Sequence, residues 1–316
     1  MTAVVNEAGR NRSVVAAVFT VCVASGLLQA CASPVLDDAA PSSAVVVGAG
    51  VQPEEELLAR LYAEVLRGTG IDVQVRSGIA DPSAALDAAE VTLIPGFTGR
   101  LLAYYDPGAE QTDAGDVFAA LARALPDELT ISDYASAQNR AVLLADRSLL
   151  DEWSATQVDD LVPHCADLTV AVTPGFESAG GLDALERADC RPREVRRIDD
   201  ARATATASEP GTVVGATTTS PALADPDAQS PVSPVADAPD RTERDEEAGD
   251  ERAAPVLPAQ NVVPVFRKNV LGDAQLDALR TIAGELTTSD LAELRVRLDE
   301  GEDPGSVARD WIDEHA

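Results

Sequence analysis

The sequence predicts an α/β protein with two lobes, each built on its own sheet, and with two crossover strands between them. Short apolar, mostly β-branched runs alternate with segments of helical periodicity, which is typical of parallel sheets covered by helices. This alternation occurs once before about residue 140 and again after it. From residue 267 onward the sequence turns to helices that the first set lacks. These observations predict that the chain leaves the first lobe, builds the second and returns.

The first set begins with the β-branched run 44–48, which suits a buried parallel strand. A helix is expected to begin at Pro53, because proline suits the first helical position and the glutamates at 54–56 complement the positive end of the helix dipole. The sequence leaves open whether these glutamates also favour a cationic ligand. The remaining elements predicted here are strands at 71–75 and 91–94 and helices at 81–89 and 116–124.

The second set is predicted to contain strands at 141–145, 168–172, 194–198 and 212–216 and helices at 181–188 and 199–207. The apolar run 262–266 then leads into three helices, which begin near Asp273, at Thr287 or Thr288 and at Asp303-Pro304. The predicted first lobe is therefore 44–140 plus 267–316, and the second lobe is 141–266. The crossings are the strands 141–145 and 262–266, and a ligand is expected in the cleft between the lobes.

Residues 221–254 are rich in proline, aspartate, alanine and serine. This stretch has no apolar face to bury, so we expect it to be a disordered acidic insertion in the second lobe. Its acidic run at 240–251 lacks the alternating ligand spacing of a calcium site, and no metal site is predicted.

The first 30 residues have the order of an export signal, with Arg10 and Arg12 before an apolar run at 14–28. The run is shorter than the roughly 20 residues that span a bilayer. Cys31 follows a small residue and resembles the cysteine of a bacterial lipobox, which is lipidated and becomes the new N-terminus. The alternative is an ordinary signal peptide with an incidental cysteine. With lipidation, residues 31–43 are a flexible tether that anchors the protein to the outer face of the cytoplasmic membrane.

The chain carries 24 basic and 54 acidic residues and a formal net charge of −30. Such a surface repels phosphate backbones and anionic lipid headgroups, so no nucleic acid and no basic membrane-binding face are expected. The sequence contains no nucleophile elbow, no HExxH, no CxxC and no glycine-rich phosphate loop. It therefore predicts neither an enzyme nor a cofactor.

Two cysteines, Cys165 and Cys190, remain after Cys31 and the signal's Cys22 are set aside. An even pair in an exported chain most often forms a disulfide. Metal binding and two free thiols are the alternatives, although zinc would lack ligands because His164 is the only nearby imidazole.

Three segments in this order and spacing resemble the osmoprotectant-binding lipoproteins of ABC importers, which bind glycine betaine, choline and carnitine. They are residues 55–70, the stretch Ile-Pro-Gly-Phe-Thr-Gly at 94–99, and residues 261–311. The resemblance covers nearly the whole mature chain. It implies a two-lobed periplasmic-binding-protein-like fold of type II and a small-molecule solute between the lobes. It also implies ABC permease and ATPase subunits as partners, with the binding protein itself a monomer.

The family holds trimethylammonium groups in a cage of aromatic rings. Carried over to this chain, the resemblance implies ligand contacts from Gln52, Phe97, Thr98, Asn139 and Thr217. Phe97 stands at a tyrosine position of the motif, so one ring survives without its hydroxyl. Core packing of Phe97, and a hydrogen-bonding role of Asn139 in the crossover, are the alternatives.

Up to three aromatic residues of the family's cage are absent. Alanine stands at 141, alanine and threonine at 216 and 217, and Leu-Pro-Ala at 257–259, where the family usually carries tyrosines. The nearest replacements are Tyr134, Trp153 and Phe176. Two functions therefore stay open. The preferred one is an importer's binding protein for a quaternary-ammonium or osmoprotectant-type solute; the other is a surface lipoprotein that keeps the fold as a binding or scaffolding module.

Overall fold

The computed structural model describes residues 44–223, 231–240 and 254–315. The predicted export signal, the lipidation at Cys31 and the tether lie outside the described residues. None of the helices in the described part of the chain combines the length and the apolar character that crossing a bilayer requires.

The first lobe contains a five-stranded sheet. Its strands are β1 (Val45–Gly48), β2 (Val73–Arg76), β3 (Leu93–Phe97), β4 (Leu129–Ile131) and β10 (Val262–Arg267), in the order β2-β1-β3-β10-β4. β1 runs parallel to β2 and β3, whereas β10 runs antiparallel to β3 and β4. A strand from late in the chain thus completes the sheet that the first strands begin.

Seven helices cover this sheet in the described residues. They are α1 (Pro53–Gly68), α2 (Pro82–Asp87), α3 (Thr98–Tyr105), α4 (Ala114–Ala124), α10 (Asp273–Glu285), α11 (Thr288–Asp299) and α12 (Pro304–His315). The apolar face of α1, including Leu57, Leu61 and Leu66, is fully buried among residues of the C-terminal helices such as Ile282 and Trp311. The C-terminal helices therefore complete the core of the first lobe.

The second lobe has its own five-stranded sheet, in the order β7-β6-β8-β5-β9. Its strands are β5 (Ala141–Asp146), β6 (Thr169–Val172), β7 (Glu194–Arg197), β8 (Thr212–Thr217) and β9 (Val232–Val235). Its α-helices are α5 (Arg147–Trp153), α6 (Val158–Leu161), α7 (Pro174–Ser178), α8 (Gly181–Arg187) and α9 (Ala203–Ala207). β6 pairs in parallel with β7 and β8, and β5 pairs antiparallel with β8 and β9. The predicted α/β class with two sheets in two lobes is confirmed.

The crossings lie outside the strands that the sequence assigned to them. β5 belongs to the second sheet and β10 to the first, because each apolar run is buried between neighbouring strands of one sheet. The chain crosses just before each strand, where Gln138 and Asn261 form an antiparallel bridge. The backbone N–H of Asn139 donates to the carbonyl of Gln260 at 3.0 Å, so the two crossings pair with each other.

Part of the stretch 221–254 is ordered, contrary to the predicted disordered insertion. β9 extends the second sheet along β5, with Val232 and Val235 buried. The composition of the stretch gives no sign of this strand, because β9 is short and carries a proline at 234. An edge strand tolerates proline.

Cys165 and Cys190 form a disulfide with their Cα atoms 5.2 Å apart, as predicted. Both cysteines are buried in the core of the second lobe. The bond joins the turn before β6 to the residues before β7.

Candidate functional site

A cleft of about 520 Å³ lies between the lobes, beside the N-termini of α1 and α7. We call it the interlobe cleft. The first lobe supplies Gln52, Glu54, Arg100 and Arg295 to its lining, and the second lobe supplies Ser178 and Asp200. These residues follow strand ends or lie on the C-terminal helix α11, so sheet topology brings them together from distant parts of the sequence. The lining carries both carboxylates and guanidinium groups.

Glu54 is a buried carboxylate, with 8% of the residue exposed. The side-chain amide Nδ2 of Asn139 donates to both of its carboxylate oxygens, at 3.1 Å and 2.9 Å. Burial raises the pKa of Glu54, while Arg295, Arg100 and Asn139 oppose that shift and Glu55 adds to it. The site therefore holds an acidic group whose charge depends on neighbouring cations and donors.

Asn139 links the two lobes across the first crossing. Its Oδ1 accepts a hydrogen bond from the hydroxyl of Thr219 at 2.9 Å, while its Nδ2 is committed to Glu54. The residue lines the interlobe cleft and is itself buried. These hydrogen bonds agree with the crossover role that the sequence left open for Asn139, whereas its contact with a ligand stays a prediction.

The guanidinium of Arg100 lies over the ring of Phe97, with its Cζ 5.0 Å from the ring centroid. One of its terminal nitrogens lies 3.9 Å from a carboxylate oxygen of Glu55. Its Nε is buried and has no hydrogen-bond partner among the described residues. Burial lowers the pKa of Arg100, and Glu54 and Glu55 oppose that shift, so the group stays cationic.

Arg295 contributes a second guanidinium from the middle of α11. It is partly exposed and makes no hydrogen bond or ion pair with any other residue that the structure describes. Arg295 and Glu54 both line the interlobe cleft. Arg295 thus presents unused donors to the interlobe cleft.

Of the five ligand contacts that the resemblance implies, Gln52 and Asn139 line the interlobe cleft. The other three are buried. Phe97 is 2% exposed and packs in the core of the first lobe. The hydroxyl of Thr98 accepts the backbone N–H of Asn261 at 3.0 Å, which ties the start of α3 to the second crossing.

Thr217 ends β8 with its methyl group towards Gly175 and is 2% exposed. It therefore packs under α7 and is absent from the lining described for the interlobe cleft.

The three replacement aromatics lie elsewhere. Tyr134 packs against Phe118 in the first lobe, with ring centroids 4.9 Å apart. Trp153 stacks on His164 in the second lobe at 4.3 Å. Phe176 is fully buried in the core of the second lobe. The described lining of the interlobe cleft includes no aromatic side chain.

Sequence reasoning did not single out Arg100, Arg295, Ser178 or Asp200. Arg100 directly follows the Phe-Thr-Gly stretch that carries the resemblance, so its position was a usable signal. Arg295 had no such signal, because a charged residue on an amphipathic helix is normally a solvated one. The described residues also contain no group of three His, Cys, Asp or Glu side chains placed to hold a metal ion.

Comparison with known proteins matches residues 43–314 to the family described as the substrate binding domain of the ABC-type glycine betaine transport system. A glycine betaine/carnitine/choline ABC transporter structure has 15% identity and a TM-score of 0.63, and covers 86% of this chain and 98% of its own. The apo form of YehZ from Escherichia coli has 18% identity and a TM-score of 0.58, with the same coverage of each chain. These identities indicate a shared fold. No curated protein matches this chain.

Proposed function

The chain belongs to the family of substrate-binding domains of ABC-type glycine betaine transport systems, and we propose that it captures a small osmoprotectant-type zwitterion for an importer. One observation carries the proposal: charged residues of the first lobe and polar residues of the second face the same cleft. A solute in it would be held by both lobes, so its binding energy would favour their approach. Hinge motion at the two crossings is the means by which such lobes close.

The chemistry of the lining supports a solute that carries both charges. Glu54 suits a cationic group, and Arg100 and Arg295 suit a carboxylate. The volume of about 520 Å³ lies within the range of small-molecule sites. The proposal needs no catalytic step and no cofactor. It includes as partners a permease, which receives the solute, and an ATPase.

A thermal-shift and calorimetric screen of the purified protein tests this proposal. The solutes are glycine betaine, choline, carnitine, proline betaine and free amino acids. A solute present at 100 times its Kd stabilises the folded state by about 2.7 kcal/mol, which is a readily measured shift. If no zwitterion binds, the proposed capture function is wrong.

A second candidate is a surface module that keeps the fold without transport. The aromatic-free lining described for the interlobe cleft favours it over betaine transport. Uptake of a labelled solute by cells with and without the gene distinguishes the candidates, because only the importer component changes uptake. Permease and ATPase genes beside this gene would also favour the importer.

We also propose that Cys31 is lipidated and anchors the protein outside the cytoplasmic membrane. Support comes from its position behind an apolar run and from the family, whose members are extracytoplasmic binding proteins. Metabolic labelling with a fatty acid should mark the wild-type protein and leave Cys31→Ala unmarked. Equal labelling of both would contradict the anchor.

A further inference from the structure

We propose that the interlobe cleft selects a zwitterion whose cationic nitrogen carries hydrogens, such as a free amino acid, over the corresponding quaternary ammonium compound. This inference rests on the proposed solute-binding function and specifies its ligand class. Glu54 would accept the N–H groups of the ligand, and Arg100 with Arg295 would bind its carboxylate.

The aromatic ring that could bind a quaternary ammonium group is already packed inside the protein. Such a group has no hydrogen to donate and gains its stabilisation from ring faces. Phe97 is buried, and Arg100 covers its ring at 5.0 Å. The described lining of the interlobe cleft includes no aromatic side chain. The cation–π partner of Phe97 is the guanidinium of Arg100.

Glu54 has acceptor capacity left for a ligand. An ionised carboxylate offers about four lone-pair sites. Among the described residues, the two oxygens accept hydrogen bonds from a single nitrogen, Nδ2 of Asn139, at 2.9 Å and 3.1 Å. An ammonium N–H···carboxylate contact is a charge-assisted hydrogen bond, and a trimethylated nitrogen cannot make it.

The two guanidinium groups have donors left for a carboxylate. The Nε of Arg100 is buried without a partner among the described residues, and Arg295 makes no hydrogen bond or ion pair with them. Guanidinium groups bind carboxylates in a two-pronged geometry. Both kinds of zwitterion carry a carboxylate, so the discrimination comes from Glu54, whose acceptors stay unpaired when an analogue without an N–H donor binds.

Isothermal titration of the purified protein with free amino acids and their fully N-methylated, quaternary ammonium counterparts tests the inference. L-proline with proline betaine, and glycine with glycine betaine, are the first pairs. We expect the free amine of a pair to bind at least about 10-fold more tightly, which is the effect of one charge-assisted hydrogen bond. Equal or tighter binding of the quaternary member overturns the inference but leaves the proposed capture function standing. If neither series binds, both fail.

Variants assign the preference to the residues. Glu54→Gln should lose the preference for the free amine, whereas Glu56→Gln, which removes a carboxylate paired with Arg60 in the same helical turn, should keep it. Arg295→Gln breaks no hydrogen bond or ion pair among the described residues and should weaken binding about 10-fold. Arg309→Gln on α12, whose guanidinium bonds only Ser306 among them, is the matched control. Undiminished binding by Arg295→Gln, or an unchanged preference in folded Glu54→Gln, would overturn the assignment.

Discussion

Phe97 and Arg100 are three residues apart at the start of α3, and this spacing places the guanidinium over the ring. Residues at this separation are neighbours on a helix surface. The family motif alone suggests an aromatic ring that contacts the ligand. Because Arg100 follows the motif, the ring of Phe97 packs against the protein's own guanidinium instead, and this one residue changes the chemistry of the site.

Phe97→Ala should destabilise the protein by about 3–5 kcal/mol, because it leaves a cavity in the core of the first lobe. Phe97→Leu should cost clearly less, since it retains most of the buried volume. Urea unfolding measures both. If Phe97→Ala kept wild-type stability and lost only solute binding, the ring would face the ligand after all.

Glu54→Gln should change the pH dependence of stability. Burial raises the folded-state pKa of Glu54 above its unfolded value, so the folded protein holds the proton more tightly. Glu54 therefore contributes stability at pH below its unfolded pKa and loses it as pH rises through the folded value. Relative to wild type, Glu54→Gln should gain stability across this window, by up to about 1.4 kcal/mol per pH unit.

Urea unfolding at several pH values from about 4 to 8 measures the stability difference between Glu54→Gln and wild type. Glu56→Gln is the control, because it removes a carboxylate from the same turn but outside the interlobe cleft. If the stability gained by Glu54→Gln relative to wild type fell with rising pH, the raised pKa of Glu54 would be contradicted.

The family resemblance points to five residues of the site, and two of them, Gln52 and Asn139, line the interlobe cleft. Thr98 and Thr217 belong to the same neighbourhood, but their direction depends on packing that a single sequence does not reveal. Arg295 reaches the cleft only because α11 packs back on the first lobe.

At the scale of elements, Phe176 holds α7, α8 and β8 together. Its ring fills the space left by two glycines, since a Cβ on Gly181 or on Gly215 would lie 2.5 Å from ring atoms. The ring is fully buried. This packing explains why Phe176 is unavailable to the interlobe cleft.

Gly215→Ala should destabilise the protein by about 1–3 kcal/mol, because the added methyl group overpacks the ring of Phe176. Gly284→Ala in α10 is the matched control, since nothing lies within 4 Å of its added Cβ. That change should stabilise by up to about 1 kcal/mol through helix propensity. Thermal unfolding compares the variants, and an unperturbed Gly215→Ala would refute the close packing.

The disulfide between Cys165 and Cys190 ties two turns of the second lobe across 25 residues of sequence. In the chain-entropy model, a loop of this length contributes about 3 kcal/mol. The double variant Cys165→Ala/Cys190→Ala should lose about that much in urea unfolding, and reduction of the wild type should have a similar effect. A loss below about 1 kcal/mol would mean that the bond constrains the unfolded chain little.

A helix or strand can be predicted from the sequence when its signal lies within the element itself. The Asp81 and Thr287 caps accept the backbone N–H groups of residues 84 and 290, as their sequences indicate. β9 has no such local signal, because its four residues become a strand only beside β5. Likewise, the apolar runs 141–145 and 262–266 identify strands without telling which sheet receives them.

At the scale of the whole molecule, Arg140 and Asp240 connect both crossings with both lobes. The guanidinium of Arg140 donates to the carbonyl of Leu257 at 2.7 Å and to that of Thr112 at 3.1 Å. It also pairs with Asp240 at 3.2 Å, and Asp240 accepts the backbone N–H of Ala114 at 3.3 Å. We call Arg140 and Asp240 the hinge pair, because they lie where lobe motion must bend the chain.

Asp240→Ala should loosen the crossings and destabilise the protein by about 1–3 kcal/mol, since it removes charged hydrogen bonds from a largely buried arginine. Hydrogen exchange should speed up at the amides of Asn139 and Ala259 on the crossings and stay unchanged in β6. Glu209→Ala is the control, because its ion pair with Arg196 is exposed and contributes little. If Asp240→Ala left the exchange of both crossings unchanged, the hinge pair would not restrain them, and lobe motion would be set by the sheets alone.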